Sequence, residues 1–166
     1  MKYAYYQSPL GRILLVENAA ALRALSFVGQ KYEFRPGPEW TEAPDSALLA
    51  RVAQQLGEYF DGKRSEFDLP LTFQGTAFQC RVWRGLSAIP AGATISYREL
   101  AAAIGAAGSA RAVAAAVGRN PISIVLPCHR VIGSDGSLTG YAGGLERKQA
   151  LLDLERSFSV PTASLR

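Results

Sequence analysis

The sequence predicts an α+β fold: a small N-terminal β-sheet domain with one helix, then a mostly helical C-terminal domain containing a helix-turn-helix. Three observations predict it. Apolar runs broken by turn residues crowd the first 28 positions. Apolar residues at helical spacing occupy Ser46 to Phe60. Beyond residue 70, caps and helix formers dominate until a short apolar run near residue 122.

In chain order, residues 3–6, 12–17 and 22–28 read as strands, with Ser8-Pro9-Leu10-Gly11 and Asn18-Ala19-Ala20-Ala21 as the turns between them. Residues 29–44 hold Pro36, Gly37, Pro38 and Pro44 and read as an irregular loop. Leu48, Leu49, Val52, Leu56, Tyr59 and Phe60 then make an amphipathic helix that Asp61-Gly62-Lys63 ends. Leu69-Pro70-Leu71 marks the passage between two domains, 1–69 and 70–166. Phe78, Val82, Leu86 and Ile89 lie at helical spacing, and Cys80 falls off that stripe as a small, partly buried helix residue. Ser96-Tyr97-Arg98-Glu99 is a capping box for a helix that stops at Gly105. Ser109 is expected to cap a second helix, Ala110 to Val117, closed by Gly118, which completes the helix-turn-helix pattern. Ile122 to Leu126 reads as a buried strand, and Pro127 ends it. A last helix covers Leu145 to Leu154.

Composition narrows the function. The net charge is +4 and the sequence pI about 9.3. Residues 1–70 hold 8 Lys+Arg against 9 Asp+Glu, and residues 71–166 hold 10 against 5. A basic C-terminal half suits an anionic partner. Residues 1–9 lack the apolar core of a signal peptide, and no apolar run approaches the ~20 residues of a membrane span. A cytoplasmic protein, monomeric and without membrane contact, is expected. Two cysteines and one histidine are too few for a typical structural zinc, so neither metal nor cofactor is expected.

The chemistry concentrates in Pro127-Cys128-His129-Arg130-Val131. A strand that ends at proline turns the chain at Cys128, where a side chain can face a cleft. The thiolate is the nucleophile, and a base must raise its fraction. Adjacent side chains on extended backbone point apart, so a bridging water between Cys128 and His129 is plausible. The imidazole needs a carboxylate on its other nitrogen, and Asp153 and Glu155 are candidates. Such a set serves a hydrolase, a redox sensor or an alkyl acceptor. The second helix of the helix-turn-helix is thin, with Ala110, Ala112, Ala114, Ala115 and Ala116 and one long side chain, Arg111, near its start. A thin helix can enter a minor groove about 6 Å wide, and alanine is also simply the best helix former. Its N-terminus could hold a phosphate.

The chain resembles the O6-alkylguanine-DNA alkyltransferases (methylated-DNA–protein-cysteine methyltransferases) over residues 70–156. The motifs are Phe78-Gln79 with Val82-Trp83, Ile89-Pro90-Ala91-Gly92 with Thr94 and Ser96-Tyr97, Ala110-Arg111-Ala112-Val113, Asn120-Pro121, Pro127 to Gly133, Leu138 to Gly144, and Glu155. The resemblance implies single-turnover repair of O6-alkylguanine, and of O4-alkylthymine, in duplex DNA bound through the minor groove with the damaged nucleotide flipped out. It implies roles by position. Cys128 is the nucleophile and alkyl acceptor, His129 and Glu155 support its thiolate through a water, and Asn120 braces the turn. Tyr97 helps rotate the nucleotide and assists at the guanine ring. Arg111 fills the gap left in the duplex, and Ser96, Ala112, Ala115 and Gly118 lie on the DNA-facing side. Val131, with Cys128, reads guanine through backbone carbonyls, while Tyr141 and Ala142 close the pocket. Ala142 stands where some relatives have serine, Ala114 where glycine is frequent, and the N-terminal zinc ligands of human-type relatives are missing. The competing readings are a non-enzymatic alkylated-DNA-binding protein and an unrelated cysteine hydrolase.

Overall fold

The computed structural model describes the backbone of residues 1–164 and the side chains through residue 158. Strands β1 (Lys2–Ser8) and β2 (Gly11–Asn18) pair antiparallel, Lys2 opposite Glu17 and Ser8 opposite Gly11. Ser8 makes their turn: its Oγ accepts from the Leu10 amide at 3.1 Å and donates to the Gly11 carbonyl at 2.6 Å. β2 passes into β3 (Ala21–Phe27) through Ala19 and Ala20, both at positive φ (53° and 64°). A two-residue hairpin demands that twist, and alanine meets it with strain that glycine would avoid.

The sheet order is β3-β2-β1-β4. Residues 29–44 are therefore not wholly irregular: β4 (Thr41–Glu42) runs parallel to β1, with the Thr41 amide on the Met1 carbonyl and the Ala43 amide on the Tyr3 carbonyl. Two residues carry no periodicity, which is why the strand is invisible in the sequence.

Helix α1 (Ala47–Phe60) starts at Ser46, whose Oγ accepts from the Leu49 amide. Its Leu49, Val52, Leu56 and Tyr59 are buried against Ala4, Ile13, Leu15, Leu22, Leu25 and Phe27 of the sheet. Each fully buried Leu, Val or Ile side chain contributes about 1.5–3 kcal/mol. The other face buries Leu14, Val16 and Ala24 beneath Tyr3, Tyr5, Phe34 and Trp40.

The free edge of β3 receives the rest of the chain. Leu22 exchanges hydrogen bonds with Pro70 and Thr72, and Leu25 with Pro121 and Ser123, all at 2.8–2.9 Å. One apolar core runs through both halves. Helix α2 (Ala77–Leu86) begins with a reciprocal Thr76/Gln79 capping box. β5 (Ile95–Ser96) leads straight into α3 (Tyr97–Ala103), where Ser96 and Glu99 form the expected capping box. Gly105, at φ +77°, closes α3: the Ala106 amide reaches the Ala101 carbonyl and the Gly105 amide the Ala102 carbonyl. Helix α4 (Ala110–Gly118) follows. Ser109 does not cap it through its side chain; at φ −105° and ψ 31° its backbone lacks the extended shape that aims a capping hydroxyl.

The expected strand at Ile122 to Leu126 is a turn. Only Ile122 bridges to β3, and a 3₁₀ turn, Cys128–Arg130, follows, then β6 (Val131–Ile132), parallel to β5. The last helix, α5 (Leu145–Ser164), runs beyond Leu154. The apolar pattern stops there because the next core residue is a carboxylate, Glu155. Among the described residues no helix is long and apolar enough to cross a membrane.

Candidate active site

Asn120 explains why Ile122 to Leu126 is not a strand. Its Nδ2 donates to the Leu126 carbonyl at 2.7 Å and its Oδ1 accepts from the Ile122 amide at 3.0 Å. Those backbone groups would otherwise face a ladder. The turn they close forces Ile124 to φ +70°, a strained setting for a β-branched residue. The bonds from Pro121 and Ser123 to Leu25 pin this turn to the sheet edge. Cys128 follows on the 3₁₀ turn, its amide on the Leu126 carbonyl at 2.8 Å. The β5·β6 pairing sets Tyr97, the first residue of α3, beside the same turn.

Beneath Cys128 lies a buried polar cluster centred on Glu155, which is fully buried. Its carboxylate accepts from His129 Nε2 at 2.7 Å, from Arg130 Nε and Nη2 at 2.8 Å each, and from the Tyr59 hydroxyl at 2.6 Å. Arg130 Nη1 also donates to the Ile89 carbonyl at 2.6 Å. Burial pushes the Glu155 carboxyl up, but the hydrogen bonds and charges of Arg130 and His129 outweigh it and hold the pKa at about 2. Burial pushes the His129 imidazole below its ordinary value although Glu155 pulls it the other way. The ring is therefore neutral near pH 7 and Glu155 ionised. Nε2 must carry the proton, so Nδ1 holds the lone pair, and it has no protein partner. A buried acceptor nitrogen on the residue next to a thiol has the chemistry a general base needs. Burial raises the Cys128 thiol to about 11, against the pull of Asn120 and of the Lys148 charge. At rest the sulfur keeps its proton.

Of the two candidate carboxylates, only Glu155 orients the histidine. Asp153 is exposed and faces Arg156 and Gln149 one turn away. Three members of the site escape sequence reasoning: Arg130, Tyr59 and Lys148. Lys148, wholly buried, donates to the carbonyls of Val131 (2.7 Å) and Thr139 (2.9 Å), and burial lowers its pKa to about 8. Arg130 lies within the Cys run but reads as one of many basic residues. For Tyr59 and Lys148 no local signal exists, because their partners are 96 residues away in one case and loop carbonyls in the other.

A hollow of about 1090 Å³ opens over this region, slightly above the roughly 300–1,000 Å³ usual for small-molecule sites. Tyr97, Ala112, Ala115, Gly118, Tyr141 and Ala142, all expected site residues, line it. Cys128 does not: it is 5 % exposed and sits behind the wall, close enough to Tyr97 and Tyr141 that its thiolate, once formed, would raise the pKa of both. The Tyr97 hydroxyl donates to the Thr139 carbonyl at 3.2 Å. Val131 is buried outside the lining, and its carbonyl already accepts from Lys148. Ser96 caps α3 rather than facing the hollow. A smaller hollow, about 580 Å³, lies against Ile124, Pro127 and Arg130, and none of the expected residues lines it.

Helix α4 buries Val113, Ala116 and Val117, with the Ala116 carbonyl accepting from Trp83 Nε1 at 2.8 Å. Arg111, Ala112 and Ala115 are exposed on its other side, and a Cβ built on Gly118 meets nothing within 4 Å. That face is thin, with a guanidinium near its start. No group of three or more His, Cys, Asp or Glu among the described residues could hold a metal ion.

Comparison with known proteins identifies the family. A family model described as 6-O-methylguanine DNA methyltransferase, DNA binding domain, matches residues 77–157, and one described as the ribonuclease-like domain of the same methyltransferase matches residues 1–73. The chain is 51 % identical over 166 residues to the methylated-DNA–protein-cysteine methyltransferase of Mycolicibacterium paratuberculosis, covering 99 % of this chain and 98 % of that one. It is 46 % identical over 157 residues to the protein of that name from Methanosarcina barkeri, covering 95 % and 98 %. The crystal structure of Mycobacterium tuberculosis OGT in complex with DNA superposes with a TM-score of 0.87 at 46 % identity, covering 95 % and 94 % of the two chains.

Proposed function

The chain belongs to the 6-O-methylguanine DNA methyltransferase family, and from that premise we propose that it repairs duplex DNA by moving the alkyl group of O6-alkylguanine, and of O4-alkylthymine, irreversibly onto Cys128. The observation that carries this reading is the neutral His129, oriented by a locked Glu155–Arg130 pair, adjoining the one cysteine behind the large hollow.

The extruded base enters the hollow between the α4 face and the Thr139–Ala142 loop. The Cys128 proton passes through a water to His129 Nδ1. Glu155 stabilises the imidazolium that forms, and Arg130 keeps that carboxylate ionised. The sulfur attacks the alkyl carbon, an S–C bond forms, and the C–O6 bond breaks with its electron pair going to the guanine. Tyr97, released from Thr139, donates a hydrogen bond to the ring as charge develops there. The product is a thioether, which offers water no electrophilic carbonyl, so each molecule acts once. α3 and α4 present the thin face to the minor groove, Arg111 occupies the space the nucleotide leaves, and the α4 N-terminus faces a phosphate. Residues 1–69 form the supporting domain and 70–166 the working one, in a cytoplasmic monomer.

Mixing the protein with a duplex containing O6-methylguanine, then mapping peptides by mass spectrometry, tests the reading. One methyl on Cys128, restored guanine and one equivalent of turnover are expected. Methyl on Cys80 or repeated turnover would defeat it. Tight binding with no transfer would make the protein a damage-binding module instead.

A further inference from the structure

Tyr32 occupies a position that packing does not explain. Its φ is +58°, in the left-handed region where a side chain costs about 1 kcal/mol or more. The residue is 49 % exposed, so burial does not offset that strain. Yet the segment is fastened on two sides. Arg119, which caps the C-terminal end of α4, stacks its guanidinium 3.8 Å from the ring centroid. The Lys31 amide donates to the Ala142 carbonyl at 3.1 Å. Lys31, Tyr32, Arg119 and Ala142 all border the hollow. A loop of the N-terminal half thus closes the opening between the end of α4 and the loop that carries Tyr141 and Ala142.

From this placement we infer that Tyr32 is the lip of the hollow and limits the size of the O6 substituent that can reach Cys128, an inference that rests on the alkyl-transfer reading. A methyl group is accommodated at the sulfur itself. A larger substituent must extend along the hollow past Ala142, where Lys31 is bonded and the Tyr32 ring stands. The Arg119 stack holds the ring there, since swinging away gives up a cation–π contact.

The test measures single-turnover transfer to the full chain from two duplexes of one sequence, carrying O6-methylguanine or O6-benzylguanine. Tyr32→Ala is expected to raise the benzyl-to-methyl rate ratio by about tenfold or more, the scale on which a shaped pocket discriminates. Tyr32→Phe keeps the wild-type ratio, because the ring and not the hydroxyl blocks the path. Arg119→Ala, which frees the ring without removing it, shifts the ratio the same way by a smaller factor and serves if Tyr32→Ala fails to fold. An unchanged ratio in Tyr32→Ala, including an equal fall in both rates, would overturn the inference, as would an equal change in Tyr32→Phe. Wild-type protein that methylates no cysteine would instead bring down the alkyl-transfer reading itself, and this inference with it.

Discussion

Two buried regions meet at Tyr59, and they are built on opposite principles. Below it, α1 and the sheet bury Leu49, Val52, Leu56, Ile13, Leu15 and Leu25, apolar against apolar. Above it, the turn at Cys128 and helix α5 bury His129, Arg130 and Glu155 in one bonded cluster, and Lys148 on loop carbonyls. The Tyr59 ring belongs to the first region and its hydroxyl to the second. The lower region is the cheap way to fill space. The upper one is expensive: taking paired charges out of water often gains nothing over apolar packing of the same volume. Its value is geometric. Every hydrogen bond to Glu155 fixes an angle, and together they leave one imidazole nitrogen of His129 with its lone pair unpartnered by protein.

Removing Glu155 breaks that contrast hardest. Glu155→Ala leaves Arg130 buried without a counter-ion, and a loss of about 3–5 kcal/mol is expected by urea denaturation, together with loss of methyl transfer to Cys128. Leu15→Ala in the lower region is expected to cost a comparable 2–5 kcal/mol, yet leave the single-turnover rate per folded molecule unchanged. A rate that fell in Leu15→Ala as far as in Glu155→Ala would erase the distinction between the two regions.

Acid sharpens the same comparison. The Glu155 carboxyl is depressed in the folded chain, to about 2 from an ordinary 4.5. Its stabilisation, on the order of 3 kcal/mol, is present above pH 4.5 and lost as the pH falls towards 2. His129, buried neutral with its pKa below 6.5, acts with the same sign: stability declines as the pH drops below 6.5 and the unfolded state takes up the proton first. Glu155→Gln should flatten the slope of stability against pH between 5 and 2, while Leu15→Ala lowers the whole curve without changing its slope. Parallel curves for the two variants would deny the carboxylate this role.

The smallest effect on the fold is expected at Arg111, exposed near the start of α4. Arg111→Ala should stay within about 0.5 kcal/mol of the parent in stability. It should slow repair of O6-methylguanine in duplex DNA more than reaction with free O6-benzylguanine. Equal slowing of both would remove it from the DNA-facing role.

The lower region was largely legible in the sequence. Apolar runs broken by turn residues, the Ser8 turn and the spacing of Leu49, Val52 and Leu56 are local signals, and local signals survive without tertiary context. The upper region was legible only in part. Cys128, His129 and Glu155 stood out through residue type and motif, and Ser96 through its capping box. The Ile122 to Leu126 run reads as a strand but folds as a turn, because an apolar run looks the same whether its amides face a ladder or an asparagine side chain. The Thr76-x-x-Gln79 capping box is a local signal of the same kind as Ser96 and Glu99. Tyr59 and Lys148 carried no sign of their partners.

What the sequence determined by itself is therefore most of the local structures and the candidate nucleophile Cys128, since both depend on residue type and near-neighbour spacing. Tertiary structure alone decided which carboxylate reaches His129, where the Arg130 fork closes, and that a tyrosine from the N-terminal half stands at the mouth of the hollow. Those outcomes depend on chain segments far apart in sequence being brought to β3 and to α5, and no spacing rule encodes a distance measured through space.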